Sequence, residues 1–112
     1  MQDQKAVEKN FFGVCFVFCP HTTAGLTANE NADPDVVTDI ISRMRKVVPA
    51  DDVYKHSEGN SDAHIKSSIF GADLTILVEK GCMLLGRWQG IYLCESDGPR
   101  TRELWIKIIA DQ

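Results

Sequence analysis

The sequence lacks a long hydrophobic run and an excess of positive charge. No apolar stretch approaches the about 20 residues that a membrane-spanning helix needs, so we expect no membrane partner. The run from Phe11 to Cys19 has the length of a signal-peptide core, but acids precede it, and its aromatic and β-branched content favours a strand. The formal net charge of −4 provides no basic surface for nucleic acid. We therefore expect no nucleic-acid partner either.

Cysteine pairs with a recognised spacing are absent. The four cysteines stand at positions 15, 19, 82 and 94, without a CxxC pair. Small secreted domains that depend on disulfides carry a denser set of cysteines than this. Three of the four lie in apolar, strand-like segments, where free cysteine behaves as a small buried hydrophobe. This pattern predicts reduced thiols and a cytoplasmic location.

Repeats, linkers and low-complexity tracts are also missing. The chain has 112 residues, of which 44% are apolar and 25% charged. These values are typical of one globular domain with a single hydrophobic core. We therefore predict one domain over residues 1–112.

One long helix is predicted by the stretch "ADPDVVTDIISRMRKVVP". Asp33 is a suitable N-cap residue, and Pro34 suits the first helical position. Apolar residues then recur at helical spacing until Pro49 ends the pattern.

The other apolar segments predict strands. They comprise 12–19, 23–28, "LTILVE", "GCMLLG", "WQGIYLCE" and "RELWIKII". Trp88 and Trp105 are expected at core-facing strand positions, since aromatic side chains usually pack in the core. Together with the helices, these segments predict an α+β fold: a mostly antiparallel sheet with one long and one short helix.

The short helix, predicted over 62–69, carries a candidate anion site. If Ser61 caps it, the free amides of Asp62, Ala63 and His64 lie at its positive end and attract phosphate. Arg100, in a turn, could supply a bidentate guanidinium to the same anion. The alternative is that Asp62 itself occupies the helix dipole and Arg100 pairs with an acid of its own turn.

All three histidines of the chain occur in two polar stretches. His21 lies in "PHTTAGLTANEN", and His56 and His64 lie in "HSEGNSDAHIKS". A third polar stretch, "CESDGPR", adds Glu95. Three imidazoles, with or without the carboxylate, suit a catalytic metal site, although their spacing is not diagnostic. The alternatives are surface histidines, or a metal-free site in which a histidine is the general base.

Four stretches in order, "PHTTAGLTANENADPDV", "HSEGNSDAHIKSSIFG", "GRWQGIYLCE" and "DGPR", resemble the YjbQ family, whose members are often labelled secondary thiamine-phosphate synthases. This chain differs from the family at its N-terminus, where members usually carry additional strands. The resemblance implies a bent, sandwich-like sheet and a homotrimer. It also implies one polar cleft that contains His21, His56, His64 and Glu95, with Asn60, Asp62, Gln89 and Arg100 nearby.

Two functions follow from this resemblance. The first is a small-metabolite enzyme, either a transferase or a phosphate-ester hydrolase. Thiamine-phosphate synthesis would be its main or side reaction, joining a hydroxymethylpyrimidine pyrophosphate to a thiazole phosphate. Such chemistry requires an anion site and normally a divalent metal such as zinc or magnesium. Here His21, His56 and His64 would hold the metal or move protons, Glu95 would be a ligand or general base, and Asn60, Ser61, Asp62, Gln89 and Arg100 would bind substrate. The alternative is a non-catalytic metal- or anion-binding module.

Overall fold

The computed structural model describes residues 8–112, which form two helices and six strands. In chain order the elements are β1 Gly13–Phe18, β2 Ala24–Glu30, α1 Pro34–Val47, α2 Ser61–Phe70, β3 Asp73–Glu79, β4 Cys82–Met83, β5 Gln89–Glu95 and β6 Trp105–Ala110. Every strand pair among these residues is antiparallel. The predicted α+β class is therefore confirmed. The part of the single-domain prediction that concerns residues 1–7 lies outside the described residues.

The strands form two sheets. A four-stranded sheet has the order β4-β3-β1-β6, and a two-stranded sheet pairs β2 with β5. Strands β5 and β6 follow each other in the chain but belong to different sheets. The intervening segment 96–104 therefore crosses from one sheet to the other.

Helix α1 begins and ends as the sequence predicts. The Asp33 side chain accepts a hydrogen bond from the amide of Asp35 at 2.9 Å, and Pro34 occupies the first turn. Arg45 and Lys46 lie in the last turn, where cations suit the negative end of the helix dipole. Residues adjacent in the sequence were therefore sufficient to predict both ends of α1.

Helix α2 begins one residue earlier than predicted. Its N-cap is Asn60, not Ser61, and the Asn60 side chain makes no capping hydrogen bond. The amides of Ala63 and His64 both point to the Asn60 carbonyl, at 3.0 and 3.4 Å. The prediction that these two amides are free for an anion is therefore wrong.

The C-terminal end of α2 lies directly against β2. The Leu26 amide donates to the Gly71 carbonyl at 2.9 Å. A Cβ at Gly25 would lie 2.8 Å from that carbonyl oxygen and 2.9 Å from Phe70 Cβ, so a larger residue would push the helix away. This contact sets the position of α2, and hence of its N-terminus.

The core lies between β1 and β3 of the larger sheet and β2 of the smaller one. Its members are Cys15, Val17, Cys19, Ala24, Leu26 and Val78. Leu26 and Cys19 are each 1% exposed, and burial of a side chain such as Leu26 stabilises the fold by about 1.5–3 kcal/mol. Within residues 8–112, no helix is long and apolar enough to cross a membrane.

The expected burial of the tryptophans is wrong. Trp88 is 55% exposed and Trp105 is 57% exposed. Trp105 instead stacks on Phe18, with 5.8 Å between the ring centroids, on the side of the larger sheet that faces away from the core. Trp88 packs under the Arg87 guanidinium, 4.8 Å from the ring centroid. The predicted strand segments all contain a strand, although Trp88 precedes β5 and "GCMLLG" contributes only Cys82–Met83. Aromatic content did not predict which side of each strand faces the core.

Candidate functional site

A bidentate ion pair joins the end of β5 to the segment that leads into β6. Arg102 Nε donates to Glu95 Oε1 at 2.6 Å, and Arg102 Nη2 donates to Glu95 Oε2. The Arg102 side chain is only 9% exposed and that of Glu95 is 30% exposed. This pair links the two sheets, and it is the centre of a polar network that also includes Thr23, Asn60 and Asp97.

The Glu95 carboxylate is strongly stabilised in its ionised form. Hydrogen bonding to Arg102 is the main cause that lowers its pKa to about 2, with a further bond from the Asp97 amide. Burial acts in the opposite direction but is outweighed. A general base that operates near neutral pH needs a pKa close to that pH. The geometry therefore favours a structural charge at Glu95 over the general-base role predicted from the sequence.

Asp97 connects this pair to the start of α2. Its Oδ2 accepts from Asn60 Nδ2 at 2.8 Å and from Arg100 Nη2 at 2.8 Å. Hydrogen bonding to Asn60 is the largest of the causes that lower the Asp97 pKa. Arg100 is 54% exposed, so much of its guanidinium faces solvent. The predicted alternative, in which Arg100 pairs with an acid of its own turn, is therefore present in the structure.

Asn60 also has an acceptor without a partner. Its Oδ1 is buried, and it makes no hydrogen bond with any group of residues 8–112. Buried acceptors of this kind are rare because their desolvation costs free energy that no hydrogen bond offsets. Among the residues predicted to bind substrate, Asn60 thus has a buried acceptor that no group of the described residues satisfies.

The β1–β2 connection supplies the third part of the network. Arg102 Nη2 donates to Thr23 Oγ1 at 3.0 Å, and Thr23 is buried. His21 Nε2 lies 2.9 Å from the Glu103 amide and 3.2 Å from the Glu103 carbonyl. Because a backbone amide can only donate, we interpret Nε2 as the acceptor, which places the ring proton on Nδ1. His21 is thereby fixed beside the Arg102 segment.

His56 and His64 form a separate pair. Their rings meet edge to face, with 5.4 Å between centroids and an interplanar angle of 89°. His56 Nε2 also lies 3.7 Å from Glu58 Oε1. His64 is in the first turn of α2, just after Asn60, so the pair lies next to the helix end that enters the polar network. The structure thus brings together two of the three predicted histidines.

The described chain does not contain a ready metal site. No group of three or more His, Cys, Asp or Glu residues within 8–112 has the arrangement of a metal-ion site. In addition, His21 Nε2 is engaged by a backbone amide. The set His21, His56 and His64 therefore does not fit zinc or magnesium within one chain, and metal binding stays a prediction.

Three other predicted binding residues make local contacts. Asp62 is buried and pairs with Lys66, with 3.5 Å between Oδ2 and Nζ. Ser61 is the first residue of α2. Gln89 accepts from the Gly86 amide at 2.8 Å and lies at the opposite end of β5 from Glu95, about 20 Å away at strand spacing. Gln89 is therefore not part of the same network.

Sequence reasoning missed Arg102. The residue stands two positions after Arg100 in "DGPRTRE", in a segment that reads only as a charged turn. Its importance comes from burial and from the carboxylate that it meets, and neither is visible in local sequence. A second arginine close to a predicted site glutamate was the only available signal.

A close approach in the same turn restricts the residue at position 98. A Cβ added to Gly98 would lie 2.6 Å from Glu95 Cγ and 2.8 Å from Cδ. Any larger residue would displace the Glu95 side chain from Arg102. The glycine of "DGPR" therefore leaves the space that the Glu95 side chain needs to reach Arg102.

Comparisons with known proteins place this chain in a family. The family described as "UPF0047 protein YjbQ-like" matches residues 2–111. UPF0047 protein MJ1081 of Methanocaldococcus jannaschii is 53% identical over 100 residues, covering 89% of this chain and 72% of that protein. UPF0047 protein YugU of Bacillus subtilis is 53% identical over 98 residues, covering 87% and 74%.

Solved structures show the same fold. An uncharacterized conserved YjbQ/UPF0047 protein from Clostridium acetobutylicum has a TM-score of 0.85 and 57% identity, covering 88% of this chain and 76% of its own. Conserved hypothetical protein TT1486 from Thermus thermophilus has a TM-score of 0.88 and 44% identity, covering 95% and 84%. The family match over nearly the whole sequence, together with these relatives, shows that the chain belongs to the YjbQ/UPF0047 family.

Proposed function

We propose that the network around Glu95 and Arg102 is the site of a small-metabolite enzyme that acts on a phosphorylated substrate. One observation carries the proposal: three segments that are distant in the sequence meet in one hydrogen-bonded network. The connection before β2 contributes Thr23, the start of α2 contributes Asn60, and the segment 95–102 contributes the charges. A fold that needed only a stable core would not require such a network, since buried charges cost desolvation energy.

Each part of the network has a chemical role in this proposal. Glu95 holds Arg102, and both keep the segment 96–104 in place. Arg100, oriented by Asp97, presents its exposed guanidinium to a phosphate. His64, one turn after Asn60 in α2, and His56, whose ring meets that of His64, move protons to or from the substrate. No step in this scheme is assigned to a metal.

Within this class we infer thiamine-phosphate synthesis as a main or side reaction. In that reaction a hydroxymethylpyrimidine pyrophosphate joins a thiazole phosphate, and pyrophosphate leaves. Binding of two phosphorylated substrates calls for more positive charge than Arg100 alone provides, which favours a side reaction. Phosphate-ester hydrolysis needs one anion contact and a proton donor, and the same residues could provide them.

Activity assays on the purified protein test both reactions. The protein is incubated with the two thiamine precursors and magnesium, and separately with a panel of phosphate monoesters, while thiamine phosphate and inorganic phosphate are measured. We expect His64→Ala and Arg100→Ala each to lower turnover at least tenfold, the range seen when a proton-transfer or charged contact is lost. Arg87→Ala is the control because Arg87 is a cation that packs on Trp88, away from the network. Equal activity in all variants would sink the proposal.

The second candidate is a binding module without catalysis. The observation that favours it is that the charged groups of the network are paired with one another, Glu95 with Arg102 and Asp97 with Arg100. Calorimetric titration with inorganic phosphate, zinc and magnesium separates the two functions. Tight binding of one of these ions with no turnover of any ester would favour the module.

We further propose that the chain assembles as a homotrimer. The support is a largely exposed surface, which we call the outer face, on one side of the larger sheet. Its apolar members are Val14, Phe16, Phe18, Leu77, Trp105 and Ile109, and Asp73, Thr75 and Lys107 share the same side. Phe18, Trp105 and Ile109 are between 43% and 57% exposed. Exposed aromatic and aliphatic side chains grouped in this way commonly mark a protein–protein contact.

We also propose that the protein is cytoplasmic. Cys15, Cys19, Cys82 and Cys94 are all free thiols. Free thiols persist in a reducing compartment, so thiol quantification of protein extracted under alkylating conditions tests this point.

A further inference from the structure

A cavity of about 550 Å³ lies between α1 and the β2–β5 sheet. Its roof is the apolar stripe of α1, formed by Val37, Ile40, Ile41 and Met44, and its floor includes Tyr92 and Cys94. No side chain of α1, all of which is described, is fully buried. The fold therefore covers this stripe only in part, with Val37, Ile40 and Met44 partly buried and Ile41 46% exposed. The volume falls in the range of small-molecule sites, which is about 300–1,000 Å³.

The acids on the cavity wall already have partners. Glu30 Oε2 accepts from the amides of Ala32 and Asp33 at 3.1 and 3.2 Å, at the positive end of α1. Glu95, which also reaches the cavity wall, is paired with Arg102. Neither carboxylate is therefore available to repel an anion strongly or to bind a cation.

The cations on the wall are less satisfied. Lys66 is paired with Asp62 at 3.5 Å. Arg45 lines the cavity, is exposed, and makes no salt bridge or side-chain hydrogen bond with the rest of the described chain. Arg45 lies in the last turn of α1 and thus supplies one unpaired positive charge on the wall of an apolar cavity.

We propose that this cavity binds a small amphipathic anion, with its apolar body against the α1 stripe and its carboxylate or phosphate at Arg45. The apolar walls suit the apolar part of such a ligand, and the unpaired guanidinium suits its charged group. Arginine binds both carboxylates and phosphates in bidentate fashion. The proposal does not depend on catalysis at Glu95 and Arg102. The cavity would bind such a ligand in an enzyme or in a binding module.

Three naphthalene probes test the proposal on the full chain. Calorimetry measures the binding of 1-naphthoate, 1-naphthyl phosphate and neutral 1-naphthol. We expect the anions to bind roughly tenfold more tightly than naphthol, as one charge-assisted contact implies. Comparison of the two anions decides between a carboxylate and a phosphate head group. Arg45→Met should remove the preference for anions. Arg43→Met is the control, because Arg43 is exposed on the same helix but does not line the cavity.

Cysteine alkylation locates the bound probe. Cys94 lines the cavity, whereas Cys82 is exposed elsewhere. Bound naphthoate should slow the reaction of Cys94 with iodoacetamide at least fivefold at a saturating concentration, and leave that of Cys82 unchanged. The proposal is overturned if none of the probes binds, if Arg45→Met and Arg43→Met behave alike, or if Cys94 is not protected. It is also overturned if Cys94 is protected without ligand and becomes reactive on dilution, because a second copy of the chain would then fill the cavity.

Discussion

At the scale of single residues, the ion pair between Arg102 and Glu95 separates two arginines that look alike in the sequence. Both stand in "DGPRTRE", yet the side chain of Arg102 is 9% exposed and that of Arg100 is 54% exposed. Sequence analysis predicted Glu95 and Arg100 and missed Arg102. The reason is physical: a guanidinium becomes energetically important when it is removed from water beside a carboxylate, and burial depends on distant segments.

Replacement of the two arginines should therefore have unequal effects on stability. Arg102→Met leaves Glu95 without its partner and should lower the free energy of unfolding by about 1–3 kcal/mol. Arg100→Met removes a largely exposed pair and should cost less than about 1 kcal/mol. Urea unfolding at pH 7 measures both values. Equal losses would contradict the central position given to Arg102.

The pKa of Glu95 makes a prediction about acid stability. A carboxyl whose pKa is lowered by folding, here to about 2 from 4.5, stabilises the protein fully above its unfolded value. That contribution is lost as the pH falls from about 4.5 towards 2, because the folded state must then take up a proton. Wild type should be more stable than Glu95→Gln at pH 6, and the difference should shrink towards zero near pH 2.

Unfolding curves of both proteins at pH 6, 4 and 3 measure this difference. Glu79→Gln is the matched control, since Glu79 is an exposed acid at the end of β3. A gap between wild type and Glu95→Gln that stays constant over this range would show that the pair does not lower the pKa.

At the scale of elements, the helices and strands differ in how far the sequence determines them. Helix α1 is coded by adjacent residues, so its N-cap at Asp33 and its end before Pro49 were predicted correctly. Strands β5 and β6 were located, but their partners, β2 and β1, are specified by distant residues. Helix α2 is intermediate between these cases. It was predicted, but its N-cap is Asn60 and not Ser61, and the Asn60 side chain bonds to the distant Asp97 instead of capping the helix.

The cap of α1 can be tested directly. Asp33→Ala removes the side-chain acceptor for the Asp35 amide and should lower the free energy of unfolding by about 1 kcal/mol. Asp39→Ala, an exposed position in the middle of the same helix, should change it by less than half as much. Thermal or urea unfolding of the two variants provides the comparison. The same loss in both would mean that net charge, and not capping, is responsible.

At the scale of the whole molecule, the outer face of the larger sheet is the feature that composition could not predict. Alternating strand residues suggest one buried and one solvated side, yet Phe16 and Phe18 are exposed on the side that should be polar. Aromatic residues were therefore assigned to the core although they lie at the surface. The proposed homotrimer would cover them.

Two tryptophans of equal exposure test that assembly. Trp105 belongs to the outer face and Trp88 does not, although they are 57% and 55% exposed. If the outer face is the trimer contact, Trp105→Ser should shift the protein to monomers, because buried aromatic residues dominate such contacts. Trp88→Ser should remain assembled. Light scattering after size exclusion gives the mass of each species, and a trimer that is unaffected by Trp105→Ser would place the contact elsewhere.

The crossing of segment 96–104 between the two sheets has one more consequence. Arg102 precedes a strand of the larger sheet, whereas Glu95 is the last residue of β5 and Thr23 precedes β2, both in the smaller sheet. The atoms proposed to orient a substrate thus also hold two layers of the fold together at one end. A ligand that moves Arg100 or Asp97 outward would weaken this contact between the two sheets. Amide hydrogen exchange in β2 and β5 should therefore increase when the site is occupied, even by compounds that are never turned over.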